Sequence, residues 1–308
     1  MKTIIVGMGI QGNKREKFLK KNLKYTVDKF ARADFKSIYD VPLNNYDSAI
    51  ICVPDNQKIK IMEYCIKNKK DILVEKPILF KNRAQAKKLE NLAKKNKVIV
   101  YTAFNHRFEP HFVRMQNLIK SKKLGKIYSC RMFYGNGTVS LVKNSGWKDT
   151  RYGILTDLGS HLLDTCLFWF GKKIKNFKTV SSRKFENKSI DHMILISDDS
   201  QPKIEIEMTY LMWKNHFTCD ILAEKGSAHI ESLCKWGPTT FTYRKRIYPS
   251  GKPKDIKKVL IKTDPTWKSE INYFKKLKKK HTFTDFEKNL WIQKQLIESL
   301  DYKINRNK

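Results

Sequence analysis

The chain has 308 residues, 41% of them hydrophobic and 30% charged, a globular balance that excludes a disordered chain and, at roughly 150 residues per domain, predicts two domains. Sixty-three Lys and Arg against 30 Asp and Glu leave a formal net charge of +33, yet 52 of the 63 are lysines spread from Lys2 to Lys308. With only 11 arginines, zinc-finger spacing absent and no RNA-binding aromatic signature, the charge fits lysine bias or an anionic small molecule better than a specific nucleic-acid partner.

From the N-terminus, Thr3 to Val6 is a short apolar strand, Asn13 to Asn22 a polar helix and Leu23 to Asp28 a second strand. Ser48 to Val53 reads as a fully buried strand, and Asn56 to Asn68 as a helix with Ile59, Met62 and Ile66 on one face. Ile72 to Val74 as a strand, Asn82 to Lys95 as a helix and Lys97 to Thr102 as a strand continue the alternation. Such alternation predicts a doubly wound parallel sheet covered on both faces. After residue 120 the pattern changes. Lys126 to Tyr134 is a strand and Ile154 to Phe170 a long apolar helix. Strands then follow at His192–Ser197, Lys203–Leu211, His216–Ala223, Ser227–Leu233 and Thr239–Ile247, before helices near Trp267–Lys278 and Phe286–Leu300. Strands without intervening helices predict a large, mostly antiparallel open sheet. The expected fold is therefore α/β: a doubly wound domain over residues 1–120 and an α+β domain over residues 121–308.

Three motifs carry chemistry. Gly7-Met8-Gly9-Ile10-Gln11-Gly12 follows a strand and opens a helix, the context of the dinucleotide fingerprint: glycines permit a tight turn and close approach to a pyrophosphate, and the helix N-terminus offers N–H groups. Asp28, ending the second strand, is placed to accept hydrogen bonds from an adenosine ribose. Together these predict a Rossmann domain holding NAD. Lys29 and Arg32 stand where a 2′-phosphate would meet them, so NADP stays open, and an ordinary glycine turn is the plain alternative. Glu75-Lys76-Pro77 ends an apolar strand, where ligands of open parallel sheets bind and a partly desolvated lysine suits proton transfer; a solvated surface lysine is the alternative. Asp157, His161 and Asp164 fall at i, i+4 and i+7 on an otherwise apolar helix. A polar stripe there fits a general base flanked by carboxylates, a surface ion pair, or, least well, a metal site.

The fingerprint Gly7–Gly12, the Glu75-Lys76-Pro77 tripeptide and Asp157-x-Gly159-x-His161, in that order, resemble the Gfo/Idh/MocA family of NAD(P)-dependent oxidoreductases, the relatives of glucose–fructose oxidoreductase and inositol dehydrogenase. Val53-Pro54 and Asn105-His106-Arg107-Phe108 extend the likeness over nearly the whole chain. The chain departs from the family in a shortened first helix and loop, residues 13–22, and in Gln57, where many members carry a histidine. The resemblance implies a dehydrogenase or reductase that moves a hydride between nicotinamide and a CH–OH or C=O carbon of a sugar, nucleotide sugar or related polyol. It implies that Gly7, Gly9, Ile10, Gln11, Gly12, Asp28, Val53, Pro54, Glu75, Lys76 and Asn105 hold the cofactor. Lys76, Asp157 and His161 would form the catalytic set, with His161 as base, Lys76 steadying the alkoxide and Asp157 orienting or sharing the proton. The open sheet would serve as the interface of a homo-oligomer, a dimer or tetramer.

Arg107, Trp147, Lys148 and Asp164 are the candidate substrate contacts. Gly135-Asn136-Gly137-Thr138 and Trp147-Lys148-Asp149 precede the catalytic helix and face the substrate unless they are ordinary loop; Lys143, Lys148 and Arg151 there suit an acidic or phosphorylated sugar. Two alternatives keep the fold: transient use of NAD in isomerisation or glycoside cleavage, and a non-catalytic dinucleotide-binding regulator. No metal is expected. No apolar run reaches the roughly 18 residues of a membrane span, Met1 to Ile10 lacks the long apolar core of a signal peptide, and six cysteines form no C-x-x-C pair. A cytoplasmic protein without a membrane partner is the expectation.

Overall fold

The computed structural model describes residues 1–145, 149, 152–171, 174–277 and 283–301. In chain order the elements are β1 (Thr3–Val6), α1 (Ile10–Leu19), β2 (Leu23–Val27), β3 (Ser48–Ile51), α2 (Asp55–Lys67), β4 (Asp71–Glu75), α3 (Arg83–Lys95), β5 (Ile99–Ala103), α4 (Pro110–Lys120), β6 (Ile127–Gly135), α5 (Val139–Lys143) and α6 (Ser160–Phe170). There follow β7 (Lys178–Arg183), β8 (His192–Ser197), β9 (Lys203–Thr209), β10 (His216–Ala223), β11 (Gly226–Glu231), β12 (Thr239–Lys245), β13 (Asp255–Leu260), α7 (Thr266–Leu277), β14 (Phe283–Thr284) and α8 (Phe286–Asp301). The chain divides into two compact units: Met1–Asn105 with Thr266–Gln293, and His106–Pro265 with the residues from Lys294 onward.

The first unit is built on a parallel sheet of order β14-β5-β4-β3-β1-β2. Its strands are short apolar runs with both faces covered, as β1 and β3 show by burying every residue. Met62 and Ile66 of α2 and Ala86 and Leu89 of α3 pack against Ile4, Ala49, Ile72 and Val100. Each such large side chain contributes on the order of 1.5–3 kcal/mol by leaving water. Helix α3 starts where Asn82 accepts a hydrogen bond from the Gln85 N–H at 2.9 Å. The sixth strand comes from the far end of the chain. β14 pairs with β5, and Asp285 fixes it there by accepting from the Thr102 N–H at 3.0 Å and the Thr102 hydroxyl at 2.8 Å.

The second unit carries an eight-stranded sheet of order β13-β12-β11-β10-β6-β9-β8-β7. All its pairs are antiparallel except β6 with β9. Alternation of buried and accessible residues along β8, β9 and β10 marks one covered face. Helices α4 and α6 lie on that face: the Phe112 ring sits 5.1 Å from Phe217 of β10, and the Trp169 indole donates to the Phe112 carbonyl at 3.0 Å. The long helix expected from Ile154 to Phe170 has two parts. Leu155–Gly159 is a single π-helical turn, in which the Ser160 N–H reaches back to the Leu155 carbonyl, and the regular helix starts at Ser160. A Cβ on Gly159 would stand 3.1 Å from the Met208 sulfur of β9, a tight contact with a flexible side chain. Among the described residues no helix is long and apolar enough to cross a membrane, and the six cysteines are free thiols.

Candidate functional site

The sequence-predicted residues fall into two groups, one in each unit. In the first, the turn from β1 into α1 is a glycine cradle. Gly7 has φ +96°, and a Cβ there would stand 2.8 Å from the Cys52 carbonyl group at the end of β3. A Cβ on Gly12 would stand 2.0 Å from the Gly7 carbonyl oxygen. A Cβ on Gly9 would meet nothing within 4 Å. Gly7 and Gly12 are thus required by the protein's own packing, whereas Gly9 borders open space. No side chain caps α1 and no acidic residue stands in its first turn, so its leading N–H groups point to a ligand or to water. Gly9, Ile10 and Gln11 are exposed around this opening, Ile10 by 68%. The residues fit the diphosphate of a dinucleotide.

Asp28 does structural work in the same turn. Its Oδ2 accepts from the Met8 N–H at 2.6 Å and its Oδ1 from the Phe30 and Ala31 N–H groups at 2.8 and 2.9 Å. Burial pushes its carboxyl up, but the Ala31, Met8 and Phe30 N–H groups outweigh this and hold it below the usual carboxylate value. It is therefore an ionised acceptor at neutral pH, with about one lone pair on Oδ2 left for a ribose hydroxyl. Val53 is half-buried and Pro54 exposed at the entry to α2.

Glu75 and Lys76 end β4. Arg15, fully buried in α1, donates to Glu75 Oε1 at 2.9 Å, pairs with Glu270 of α7, and lies 4.4 Å from the Trp267 ring. Burial would lower the guanidinium pKa, yet the two carboxylates raise it above its ordinary value. Lys76, half-buried, precedes a cis peptide to Pro77. The buried Lys58 ammonium holds that segment by donating to the Pro77 carbonyl at 2.9 Å and the Lys76 carbonyl at 3.4 Å. Asn105 is buried and donates to the Thr266 hydroxyl at 2.9 Å.

The second unit gathers the other group. Asp157 is exposed in the π-helical turn, and its Oδ2 accepts from the buried Tyr210 hydroxyl at 3.3 Å. Burial first and the nearby Asp157 second push the Tyr210 phenol well above its ordinary value, so it is a fixed hydrogen-bond donor. His161 is buried and stacks face to face on His106, ring centres 3.9 Å apart at 16°. Asp164, 1% exposed, binds Arg107 through both oxygens, with Arg107 Nε donating to Oδ2 at 2.7 Å. The three polar residues expected on one helical stripe thus have three surroundings: a tyrosine, a histidine and an arginine. Trp147, Lys148 and Arg151 lie outside the described residues; Lys143 is exposed.

Sequence reasoning missed Arg15, Lys58, Tyr134 and Tyr210, and took no account of His106 as a ring partner. The signals for them are slight. Arg15 is an arginine in a lysine-rich helix, which a demand for two-carboxylate pairing explains; the tyrosines read as ordinary strand residues.

Comparisons with known proteins identify the family and the fold. Residues 2–104 match the family model described as oxidoreductase family, NAD-binding Rossmann fold, and residues 112–229 match the GFO/IDH/MocA C-terminal domain. Myo-inositol 2-dehydrogenase of Thermotoga maritima is 25% identical over 134 residues, covering 42% of this chain and 38% of that protein. Trans-1,2-dihydrobenzene-1,2-diol dehydrogenase of Xenopus laevis is 28% identical over 179 residues, covering 57% and 52%. The chain therefore spans about half or less of the length of these relatives. An oxidoreductase from Agrobacterium radiobacter, solved with NAD+, L-tartaric acid and magnesium, shares the fold with a TM-score of 0.80 at 13% identity, over 99% of this chain and 96% of that one.

Proposed function

The chain belongs to the Gfo/Idh/MocA family of oxidoreductases, with that family's NAD-binding Rossmann domain, and from this we propose that it moves a hydride between nicotinamide and a CH–OH or C=O carbon of a sugar, nucleotide sugar or related polyol. The observation that carries the reading is the glycine cradle, closed by protein atoms at Gly7 and Gly12 and open at Gly9. NAD, when bound, supplies the hydride acceptor. The chain's residues do the rest. Gly9, Ile10 and Gln11 with the α1 N-terminus take the diphosphate. Asp28, ionised and fixed by three backbone N–H groups, takes the adenosine ribose and repels a 2′-phosphate, favouring NAD over NADP. Glu75, oriented by Arg15, takes the second ribose, with Val53, Pro54 and Asn105 beside the same path.

For the reacting carbon, His161 receives the hydroxyl proton, Lys76 steadies the developing alkoxide as a cation, and Asp157, fixed by Tyr210, orients the group that loses the proton. Arg107 and Asp164 bind one another and support the helix that carries His161. The test follows NADH formation over a panel of cyclitols, aldoses, sugar acids and nucleotide sugars. Lys76→Met and His161→Asn should each lower kcat by about 10²–10⁴-fold while NAD affinity holds. Full activity in both variants would overturn the assignment.

A further inference from the structure

Lys235 stands in the short turn Cys234–Trp236 between β11 and β12. It is an exposed residue, yet its ammonium is held in one place. Nζ donates to the Tyr134 hydroxyl at 3.0 Å and lies 4.7 Å from the Trp236 ring centre and 5.5 Å from that of Tyr134. The hydrogen bond goes to a phenol, not to a carboxylate. Tyr134, 3% exposed, is the link to the catalytic group: its ring is 5.6 Å from His106, which stacks on His161. Burial pushes its phenol up, Lys235 opposes this, and Asp157 is near enough to add to it. A fixed cation, a buried phenol, the His106–His161 stack and Asp157 therefore share one neighbourhood within the second unit.

The acids near Lys235 are Glu109 and Asp264. Glu109 is 2% exposed, and burial together with Asp264 pushes its carboxyl up to about 7 against the opposing Cys234 N–H and Lys235. Its Oε2 accepts from the Cys234 N–H at 3.3 Å, and among the described residues its Oε1 has no hydrogen-bond partner. Both acids favour the charged ammonium, but neither is its hydrogen-bond partner among the described residues; the hydrogen bond goes to Tyr134. An ammonium has three N–H groups. One is spent on Tyr134, and the flanking rings attract the cation without accepting a directed hydrogen bond.

We propose that Lys235 is the residue that selects the substrate: supported by Tyr134 and Trp236, it receives an anionic group, a carboxylate or a phosphate, carried on the sugar or polyol whose CH–OH meets His161. The proposal rests on the oxidoreductase reading for the placement of substrate beside Asp157 and His161. It adds a substrate class, sugar acids or sugar phosphates in place of neutral polyols.

The test is equilibrium binding to the full chain with NAD present, at fixed ionic strength, read by calorimetry and by the summed tryptophan fluorescence. The probes are D-glucuronate, D-glucose 6-phosphate and D-glucose. The wild type should bind one of the two anions about 10- to 100-fold more tightly than glucose, the range of a charge-assisted hydrogen bond. Which anion wins separates carboxylate from phosphate. Lys235→Met keeps the apolar stem over the rings and should bring that anion to the affinity of glucose, with unchanged thermal unfolding. Lys257→Met, the same charge change on the exposed edge strand β13, should leave the preference intact. Equal affinity for all three probes in the wild type, failure to bind any, a preference that survives Lys235→Met, or its loss in Lys257→Met would each overturn the proposal. Because binding needs no turnover, the two readings fail separately. A protein that oxidises neutral polyols without preferring anions keeps the hydride reading and loses this one. One that binds the anion through Lys235 but never reduces NAD does the reverse.

Discussion

Gly9 and Gly12 should respond to the same substitution in opposite ways. In Gly12→Ala the new Cβ stands 2.0 Å from the Gly7 carbonyl oxygen and 3.0 Å from its carbon, where ordinary contact begins at 3.4 Å. Both obstacles are backbone, so α1 must move off β1. Overpacking of this kind costs roughly 1–3 kcal/mol, with backbone clashes at the upper end or beyond, which the helix-propensity gain of about 1 kcal/mol does not cover. In Gly9→Ala the Cβ meets nothing within 4 Å, and φ −72°, ψ −163° is a conformation open to alanine. Reduced freedom of the unfolded chain stabilises by about 0.4–1 kcal/mol, and a poorer N-cap residue costs a similar amount. The apo protein should therefore change by less than about 1 kcal/mol. Its NAD affinity should fall at least about tenfold, near 1.4 kcal/mol, because the diphosphate has to lie where the Cβ projects. Thermal unfolding without NAD, and calorimetric titration of NAD into each variant, make the comparison. Wild-type NAD affinity in Gly9→Ala, or wild-type stability in Gly12→Ala, would refute the assignment of the cradle.

Three further outcomes follow from buried charge. Arg15→Met removes the buried guanidinium from Glu270, with a side chain 0% exposed, and from Glu75, 12% exposed; urea unfolding should show a loss of about 3–5 kcal/mol at neutral pH, and a loss below about 1 kcal/mol would count against the pairing. Glu109 has its folded pKa raised from 4.5 to about 7. Its favourable contribution is therefore complete below about pH 4.5 and lost as pH rises through about 7, a change on the order of 3 kcal/mol. Glu109→Gln should flatten that part of the stability–pH curve and be the more stable protein at alkaline pH; parallel curves for the two proteins would contradict the shift. Asp164→Asn removes a buried partner from Arg107 and should lower the unfolding midpoint by the equivalent of about 3 kcal/mol or more. Normal unfolding with weakened substrate binding would instead return Asp164 to a substrate role.

How much of this was legible in the sequence depends on the range of the interactions. The buried runs Thr3–Val6 and Ser48–Ile51 are strands with every residue covered, and His192–Ser197 and His216–Ala223 have the bounds their alternation predicts. Edge strand β13 was not recognised, because five of its six residues are exposed and the sequence has no inside and outside to alternate between. Helix α4 opens with Pro110, which reads as a break although proline is well placed in a first helical turn. The two-residue strand β14 is too short for any periodicity to mark it.

The sequence by itself determined the periodicities, and with them the two sheets, the glycine cradle, Asp28 at the end of its strand and the order of the family motifs. These depend on neighbours a few residues apart, where backbone geometry alone sets the spacing. Tertiary structure alone decided that Arg15 meets Glu270, that His106 stacks on His161, that Tyr210 holds Asp157, and that Lys235 rests on Tyr134. In each of these pairs the partners are tens to hundreds of residues apart. No local pattern encodes such a contact, because which strands lie side by side is set by burying the whole apolar surface at once.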